Sequence, residues 1–372
     1  MNRITTALFF AGLTIELFVV LAEKMRIPME SPGMIFRLTF VLFLCSMAGT
    51  KFNKRETVLL VLFAAVGIFS YLKTGRNEIL RMTVFVAAMK GKPLEKAMRY
   101  TFLLTTVCSA LIMLLSVSGL YGDFVMAENT SGRGVEVRYT LGFGHPNSLH
   151  CMVAMLMLFG LYLYAEKITR FGLAVLLALN VGFYVLTKSE SGFLIALFAV
   201  IVSYLFLRFP SLRAKDLTYY AGEAMFAFGI LFSLVAASFG FHVEWLRRFD
   251  ARFLTGRIAS LWESSSGQGL MPSWSLFSSP ECTRYFDMGF VRLVYWYGVI
   301  PAVLIVALLF LLFRACRRHR DYAGFLFLLS CCLYTVLEAH LVSVFMLRNY
   351  VLFLIGLYAG SLFGKGKNEA NA

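Results

Sequence analysis

Four groups of polar residues in this chain have types and spacings that could do chemistry. The first is the run Arg138-Tyr-Thr-Leu-Gly-Phe-Gly-His145-Pro-Asn147. Its two glycines permit tight turns, and Pro146 suits the first turn of a helix. His145 and Asn147 would then lie at a helix N-terminus, where free N–H groups and partial positive charge favour an anion. A capped helix start with a surface histidine would give the same pattern, so both interpretations stay open.

The second group is a cluster of arginines, in which Arg247, Arg248, Arg252 and Arg257 fall within eleven residues. If this segment is helical, Arg248 and Arg252 share a face at a spacing of four. Arg257 follows a glycine and would project from a turn. Such clusters suit the bidentate recognition of a diphosphate. The alternative is a solvated basic loop attracted to anionic lipid.

The third and fourth groups are ionisable residues at the ends of apolar runs. Asp287 precedes one run and could be either a helix cap or a general base that faces the arginines. Glu338 and His340 close another run, and ionisable groups at membrane depth are costly enough to predict a function. Arg348 is the predicted partner of Glu338.

The elements that must position these groups are membrane helices. The chain has 372 residues, of which 59% are hydrophobic and 15% are charged, against about 25% charged in soluble domains. Its mean hydropathy is +0.74. We predict an all-α, polytopic integral membrane protein with about 12 transmembrane helices (range 10–12) in a single membrane domain over 1–372. The predicted helices lie near 4–22, 34–50, 57–72, 77–89, 101–120, 146–165, 171–187, 191–207, 218–239, 288–313, 322–340 and 346–363. Whether segment 77–89 spans stays open, because it is short and contains Arg81.

Lysine distribution predicts that both termini are cytoplasmic and that the loops 121–145 and 240–287 are extracytoplasmic. The cytoplasmic side would carry nine lysines and ten arginines, and the other side three lysines and thirteen arginines. The latter are Arg26, Arg37, Arg76, Arg81, Arg133, Arg138, Arg247, Arg248, Arg252, Arg257, Arg284, Arg292 and Arg348. Because arginine recognises phosphate and carboxylate in a bidentate manner, this face is expected to bind an anionic, membrane-tethered substrate. The net charge of +14 lies largely in orienting loops and does not indicate nucleic acid.

The chain shows no nucleotide-binding motif, no metal-ligand spacing and no nucleophile elbow. The expected chemistry therefore uses neither metal nor cofactor and depends on a preactivated donor. On a face without ATP, a sugar linked to a lipid diphosphate would supply that activation.

Three runs resemble segments of the Wzy-type polysaccharide polymerases, which belong with the O-antigen ligases in one superfamily. They are Leu-Gly-Phe-Gly-His145-Pro-Asn147, then Phe253-Leu-Thr-Gly-Arg257 with Asp287 and the following Tyr-Gly-Val-Ile, and finally Glu338-Ala-His340. The resemblance covers roughly residues 55–363 in order and topology. Two positions depart from it: Glu190 stands where the superfamily usually has arginine, and Met288 where asparagine is common.

The resemblance implies a metal-independent glycosyltransferase of the bacterial plasma membrane, active in capsule, exopolysaccharide or O-antigen synthesis. It would transfer a growing glycan from undecaprenyl diphosphate to an incoming lipid-linked repeat unit. Arg138 and Arg257 would clamp the diphosphate, and Asp287 or His145 would be the base. The residues expected to bind substrate are Arg138, Asn147, Arg248, Arg252, Glu338, His340 and Arg348. The expected partners are the undecaprenyl-diphosphate-linked oligosaccharide, membrane lipid, a flippase and a chain-length regulator.

Two alternatives remain at this point. A ligase would move finished glycan to another acceptor by the same chemistry. A flippase would transport the lipid-linked unit, and such proteins place ionisable groups near the membrane midplane.

Overall fold

The computed structural model describes residues 3–130, 134–254, 256–265 and 268–363, so Arg133 and Thr255 of the segments above lie outside the described residues. The helices, numbered in chain order, are α1 (Arg3–Lys24), α2 (Pro32–Ser46), α3 (Lys54–Thr74), α4 (Glu78–Ala88), α5 (Leu94–Val117), α6 (Pro146–Leu163), α7 (Arg170–Thr187), α8 (Glu190–Arg208), α9 (Ser211–Ala214), α10 (Asp216–Phe239), α11 (Glu244–Phe249), α12 (Arg257–Ser264), α13 (Gly289–Tyr297), α14 (Val299–His319), α15 (Tyr322–Leu337) and α16 (Val351–Phe363).

The described chain is mostly helical, as predicted. Within the described residues, eight helices are long and apolar enough to cross a membrane, namely α1, α3, α5, α6, α7, α8, α10 and α14. Shorter apolar helices lie at Pro32–Ser46, Tyr322–Leu337 and Val351–Gly360. The segment predicted at 77–89 forms α4, whose 11 residues are short for a membrane span. These helices indicate membrane residence, and the figure of twelve crossings stays a prediction.

The helix predicted over 288–313 is wrong as a single element, because the chain breaks at Gly298 between α13 and α14. Gly298 has a φ of +88°, and a Cβ there would lie 2.5 Å from the Cα of Phe277. Only glycine tolerates both conditions. The apolar run continues through the break, so hydropathy alone does not reveal it.

The last two predicted helices are shorter than expected. Helix α15 ends at Leu337 and α16 begins at Val351, so residues 338–350 are irregular apart from one short turn at Met346–Arg348. We call residues 338–350 the linker. Glu338, His340 and Arg348 lie on this linker rather than within helices.

Both predicted loops contain regular structure. The first carries an antiparallel β-hairpin, β1 (Val125–Thr130) and β2 (Gly134–Tyr139), so the fold is not purely helical. The second carries α11, a π-turn at Asp250–Leu254, and α12. The Asp250 carboxylate caps α12 by accepting hydrogen bonds from the N–H groups of Ile258 (3.0 Å) and Ala259 (2.9 Å).

Buried arginines hold the linker against the bundle. Arg81 donates to both carboxylate oxygens of Glu16, at 2.9 and 3.1 Å, and to the carbonyl oxygen of Val344 at 2.9 Å. Arg292 donates to the carbonyl oxygen of Val342 at 3.1 Å. Because buried carbonyl groups need hydrogen-bond donors, these guanidinium groups replace the donors that a helix would have supplied.

Candidate functional site

Arg257 lies between two carboxylates at the end of the bundle that carries both predicted loops and the linker, which we call the site face. Its terminal nitrogen donates to Oε1 of Glu338 at 2.7 Å, and its Nε lies 3.5 Å from Oδ2 of Asp287. The Nε makes no hydrogen bond within the described residues. That atom is buried, but the Arg257 side chain as a whole is 14% exposed, so an anionic ligand could contact the guanidinium beside Asp287.

The position of Arg257 follows from its local sequence. Gly256 adopts a φ of +77° and turns the chain into α12, whose first residue is Arg257. Asp250 accepts from the N–H groups of Ile258 and Ala259 and so fixes the start of α12. The Arg257 side chain is directed towards the two carboxylates.

Asp287 does not cap a helix, so the capping alternative is wrong. The residue before α13 is Met288, which makes no side-chain cap, and the Asp287 side chain faces Arg257 instead. That side chain is 51% exposed. An acceptor hydroxyl could therefore reach this carboxylate beside Arg257, which is the geometric condition for a general base.

Glu338 is the more enclosed of the two carboxylates. The hydroxyl of Ser191 donates to the same Oε1 at 2.8 Å that Arg257 contacts. Burial raises the pKa of Glu338, Asp287 adds to that rise, and Arg257 and Ser191 oppose it. Ser191 lies in the first turn of α8, which Ser189 precedes, and its hydroxyl is used for Glu338.

The turn between α7 and α8 joins this group to the first sequence motif. Arg138 donates through Nε to the carbonyl oxygen of Thr187 at 2.7 Å and through a terminal nitrogen to Oδ1 of Asn147 at 2.6 Å. Thr187 and Ser191 lie four residues apart, at the two sides of this turn. The structure thus places Arg138 and Asn147 on one side of the turn and Glu338 with Arg257 on the other.

His145 lies at the start of α6, as its sequence predicted. Its Nδ1 accepts a hydrogen bond of 3.1 Å from the N–H group of Asn147, and Pro146 occupies the first helical position. Nδ1 is therefore an acceptor, so the ring proton of a neutral His145 resides on Nε2. In this tautomer His145 offers a donor to the site rather than a free base.

The predicted pairing of Arg348 with Glu338 is wrong. Arg348 lies 3.6 Å from Oε1 of Glu23 and 3.3 Å from the hydroxyl of Tyr285, while Glu338 pairs with Arg257. Burial alone would raise the pKa of Tyr285, but Arg348 and Arg292 lower it below its usual value. Arg348 therefore ties the linker to the end of α1 and to the segment before α13.

His340 is buried beside the ring of Tyr334, and its ring nitrogens have no hydrogen-bond partner within the described residues. Burial, with the charges of Arg348 and Lys24, holds its pKa well below the usual value. This histidine is therefore neutral and enclosed, which does not give it the access expected of a substrate-binding residue.

The two remaining arginines predicted to bind substrate, Arg248 and Arg252, are both exposed. Arg248 is exposed on α11 and pairs with Glu244 one turn away. Arg252 is exposed in the π-turn, so the two do not share the face of one continuous α-helix.

Sequence reasoning missed Glu23 and Lys24 at the end of α1. Lys24 is buried with its Nζ 3.9 Å from Oε2 of Glu23, and its carbonyl oxygen accepts from the N–H of Gly144 at 2.8 Å. These contacts connect α1 to the residue before His145. The signal was the charged run Glu-Lys-Met-Arg that ends the first apolar segment.

No protein-family model matches the chain, and neither a curated protein nor a solved structure matches it. Among the residues that the structure describes, no group of three or more His, Cys, Asp or Glu side chains is arranged to hold a metal ion.

Proposed function

We propose that the protein is a polymerase of lipid-linked oligosaccharide repeat units. It transfers the growing glycan from undecaprenyl diphosphate to an incoming lipid-linked repeat at the extracytoplasmic face of the bacterial plasma membrane. The observation that carries the proposal is the position of the partly exposed Arg257 between the carboxylates of Asp287 and Glu338.

In this mechanism the acceptor hydroxyl attacks the anomeric carbon of the donor sugar, and the carbon–oxygen bond to diphosphate breaks. The leaving diphosphate takes the bonding electrons. Arg257 stabilises its growing negative charge through charge-assisted hydrogen bonds. Glu338 holds the guanidinium in place before substrate arrives.

Asp287 takes the proton of the acceptor hydroxyl. Its solvent access and its position beside Arg257, where the diphosphate would bind, support this role. His145 is the weaker choice because its Nδ1 already accepts from Asn147. We propose that His145 instead orients the start of α6, where Asn147 contacts Arg138.

The first experiment uses purified protein in lipid with an undecaprenyl-diphosphate-linked repeat unit, and it reads products on a gel. Wild type should give a ladder, and Arg257→Ala should give none. Arg99→Ala is the control, because it removes an exposed arginine whose pair with Glu95 on α5 lies outside the predicted site. A normal ladder from Arg257→Ala would overturn the role of this arginine.

Product length separates the alternatives. A single addition to a different acceptor would identify a ligase, and movement of substrate across the bilayer without any product would identify a flippase. A further comparison of Asp287→Asn with His145→Gln assigns the base. The proposal expects the larger loss of turnover from Asp287→Asn, and the reverse order would transfer the role to His145.

A further inference from the structure

A cavity with apolar walls lies between α3, α4, α14 and α16, outside the group formed by Arg257, Asp287 and Glu338. Its volume is about 170 Å³, and most of its lining side chains are leucine, isoleucine, valine, methionine or phenylalanine. An apolar cavity of this size stays dry and accepts an apolar guest. Beside helices of membrane length, the apolar molecules at hand are lipids.

The cavity is elongated and follows α4. Its lining residues on α4 recur at each turn and share one face of the helix. They are Glu78, Ile79, Met82, Thr83, Val86 and Ala87. From the first to the last, this face extends for about 14 Å along the helix axis. That length is close to half of a hydrocarbon core of roughly 30 Å, which is the depth that one acyl chain fills in its own leaflet. The shape therefore fits a single extended hydrocarbon chain.

One side of the cavity is formed by α3 and α14, whose lining side chains are only partly buried. Leu59 and Phe63 on α3, and Ile305 and Leu308 on α14, each keep part of their surface exposed. Both helices are long and apolar enough to cross a membrane. In a bilayer their exposed apolar surfaces border hydrocarbon, so a lipid chain reaches the cavity between them without crossing a polar layer.

The end of the cavity near the linker carries a carboxylate. Glu78 lines the cavity there and accepts a hydrogen bond of 3.1 Å from the hydroxyl of Tyr297. Arg76 precedes α4, but its guanidinium donates to the carbonyl oxygen of Cys282 at 2.9 Å and stacks on the ring of Trp296. This end is therefore unfavourable for an anionic head group.

The opposite end of the cavity is cationic. Glu56 and Lys90 both line it and form an ion pair with each other. Lys51, Lys54 and Arg55 precede Glu56 and are exposed. Among these five residues four are cations and one is a carboxylate, so this end, which we call the basic end, attracts a phosphate.

We propose that the cavity is a binding site for one anionic phospholipid. One acyl chain lies along α4 inside the cavity, and the phosphate lies at the basic end. The charges assign this orientation, because the other end presents Glu78. The bound chain contacts Leu341 and Val342 of the linker, which line the cavity, so the lipid supports the segment that positions the candidate site. This inference does not depend on the proposed reaction.

The test measures lipid retention by the full chain with native mass spectrometry. Purified protein in detergent receives phosphatidylglycerol or phosphatidylcholine with the same acyl chains. Ala359→Phe fills the cavity from α16, and Thr83→Phe fills it from α4, should the first variant fail to fold. Ala65→Phe is the matched control, because it adds the same ring at an exposed position of α3 that does not line the cavity.

We expect wild type and Ala65→Phe to retain one phosphatidylglycerol, severalfold more than phosphatidylcholine, and both cavity-filling variants to lose most of it. The double variant Lys54→Gln/Arg55→Gln should lower the preference for phosphatidylglycerol while still binding lipid. Retention by Ala359→Phe and Thr83→Phe equal to that of Ala65→Phe would overturn the site. Equal retention of the two lipids by wild type would overturn the anionic head group. Displacement of phosphatidylglycerol by an equimolar polyprenyl diphosphate would give the cavity a different occupant and equally overturn the proposal.

Discussion

Two of the arginine–glutamate pairs among the described residues are similar in chemistry and different in setting. The pair between Arg81 and Glu16 has side chains only 4% and 1% exposed and is completed by Thr39, which donates to Glu16 at 2.5 Å. The pair between Arg257 and Glu338 has side chains 14% and 19% exposed, and its second carboxylate, Asp287, is half-exposed.

The difference separates an arginine that holds the fold from one that is available for a ligand. Arg81 spends its donors on Glu16 and on Val344, and its guanidinium stacks 3.7 Å from the ring centre of Phe36. Among the described residues the Nε of each arginine is buried without a hydrogen-bond partner, but the Arg257 side chain is more exposed and lies beside a carboxylate that water can reach. Arginine content alone therefore does not define a binding face, and the accessibility of each guanidinium decides its role.

The largest effect on stability is expected from Glu16→Ala. It leaves the Arg81 charge buried without its carboxylate, which costs about 3–5 kcal/mol of unfolding free energy. Thermal or denaturant unfolding in detergent measures the loss. Glu95→Ala is the control, because its pair with Arg99 is exposed on α5 and should be nearly neutral. Equal stability of the two variants would remove the contrast between the two settings.

Arg257→Ala should reverse the pattern, with a large loss of activity and a small loss of stability. Removing one preorganised donor to a developing negative charge lowers turnover by about 10²–10³-fold. Unfolding free energy should fall by less than in Glu16→Ala, because this pair is more open to water and Glu338 keeps its hydrogen bond from Ser191. Arg257→Lys should recover part of the activity, since a lysine keeps the charge but cannot form the forked contact. A stability loss as large as that of Glu16→Ala would make Arg257 a second structural arginine.

The raised pKa of Glu338 should make the contribution of the Arg257–Glu338 pair to stability depend on pH. Its pKa is raised in the folded protein, chiefly by burial, so the unfolded chain releases this proton at lower pH than the folded chain. Its contribution to unfolding free energy therefore falls as pH rises from the ordinary carboxyl value to the raised value, and is constant above it. Glu338→Gln removes that fall. The unfolding free energy of wild type minus that of Glu338→Gln should fall as pH rises across this range, and a difference that rises instead would contradict the shift.

The smallest effect is expected from Arg248→Ala. Arg248 and Glu244 form an exposed pair one helical turn apart, and such pairs contribute little. Neither the melting temperature nor turnover should change measurably. A clear fall in turnover with unchanged stability would extend the binding surface from Arg257 along α11.

Local sequence signals predicted the helical nature of the chain and the start of α6, because the His-Pro-Asn order acts over a few residues. These local signals gave wrong predictions where contacts between residues far apart in the chain determine the structure. The break at Gly298 depends on the close approach of Phe277, which hydropathy does not report. The partner of Glu338 is Arg257, 81 residues away, rather than the nearby Arg348. Neighbouring charges along the chain suggest partners, but only the packing of α12 against the linker selects one.

The hydrogen bonds that hold the linker also determine whether its conformational entropy is lost on folding or on ligand binding. A thirteen-residue stretch without regular structure would normally fluctuate, and a ligand that bound it would lose affinity in restraining it. Here guanidinium groups bonded to Val342 and Val344 restrain the backbone as the protein folds. The entropy is lost before any ligand arrives, so an incoming molecule meets Glu338 already in position, as it would on a rigid strand.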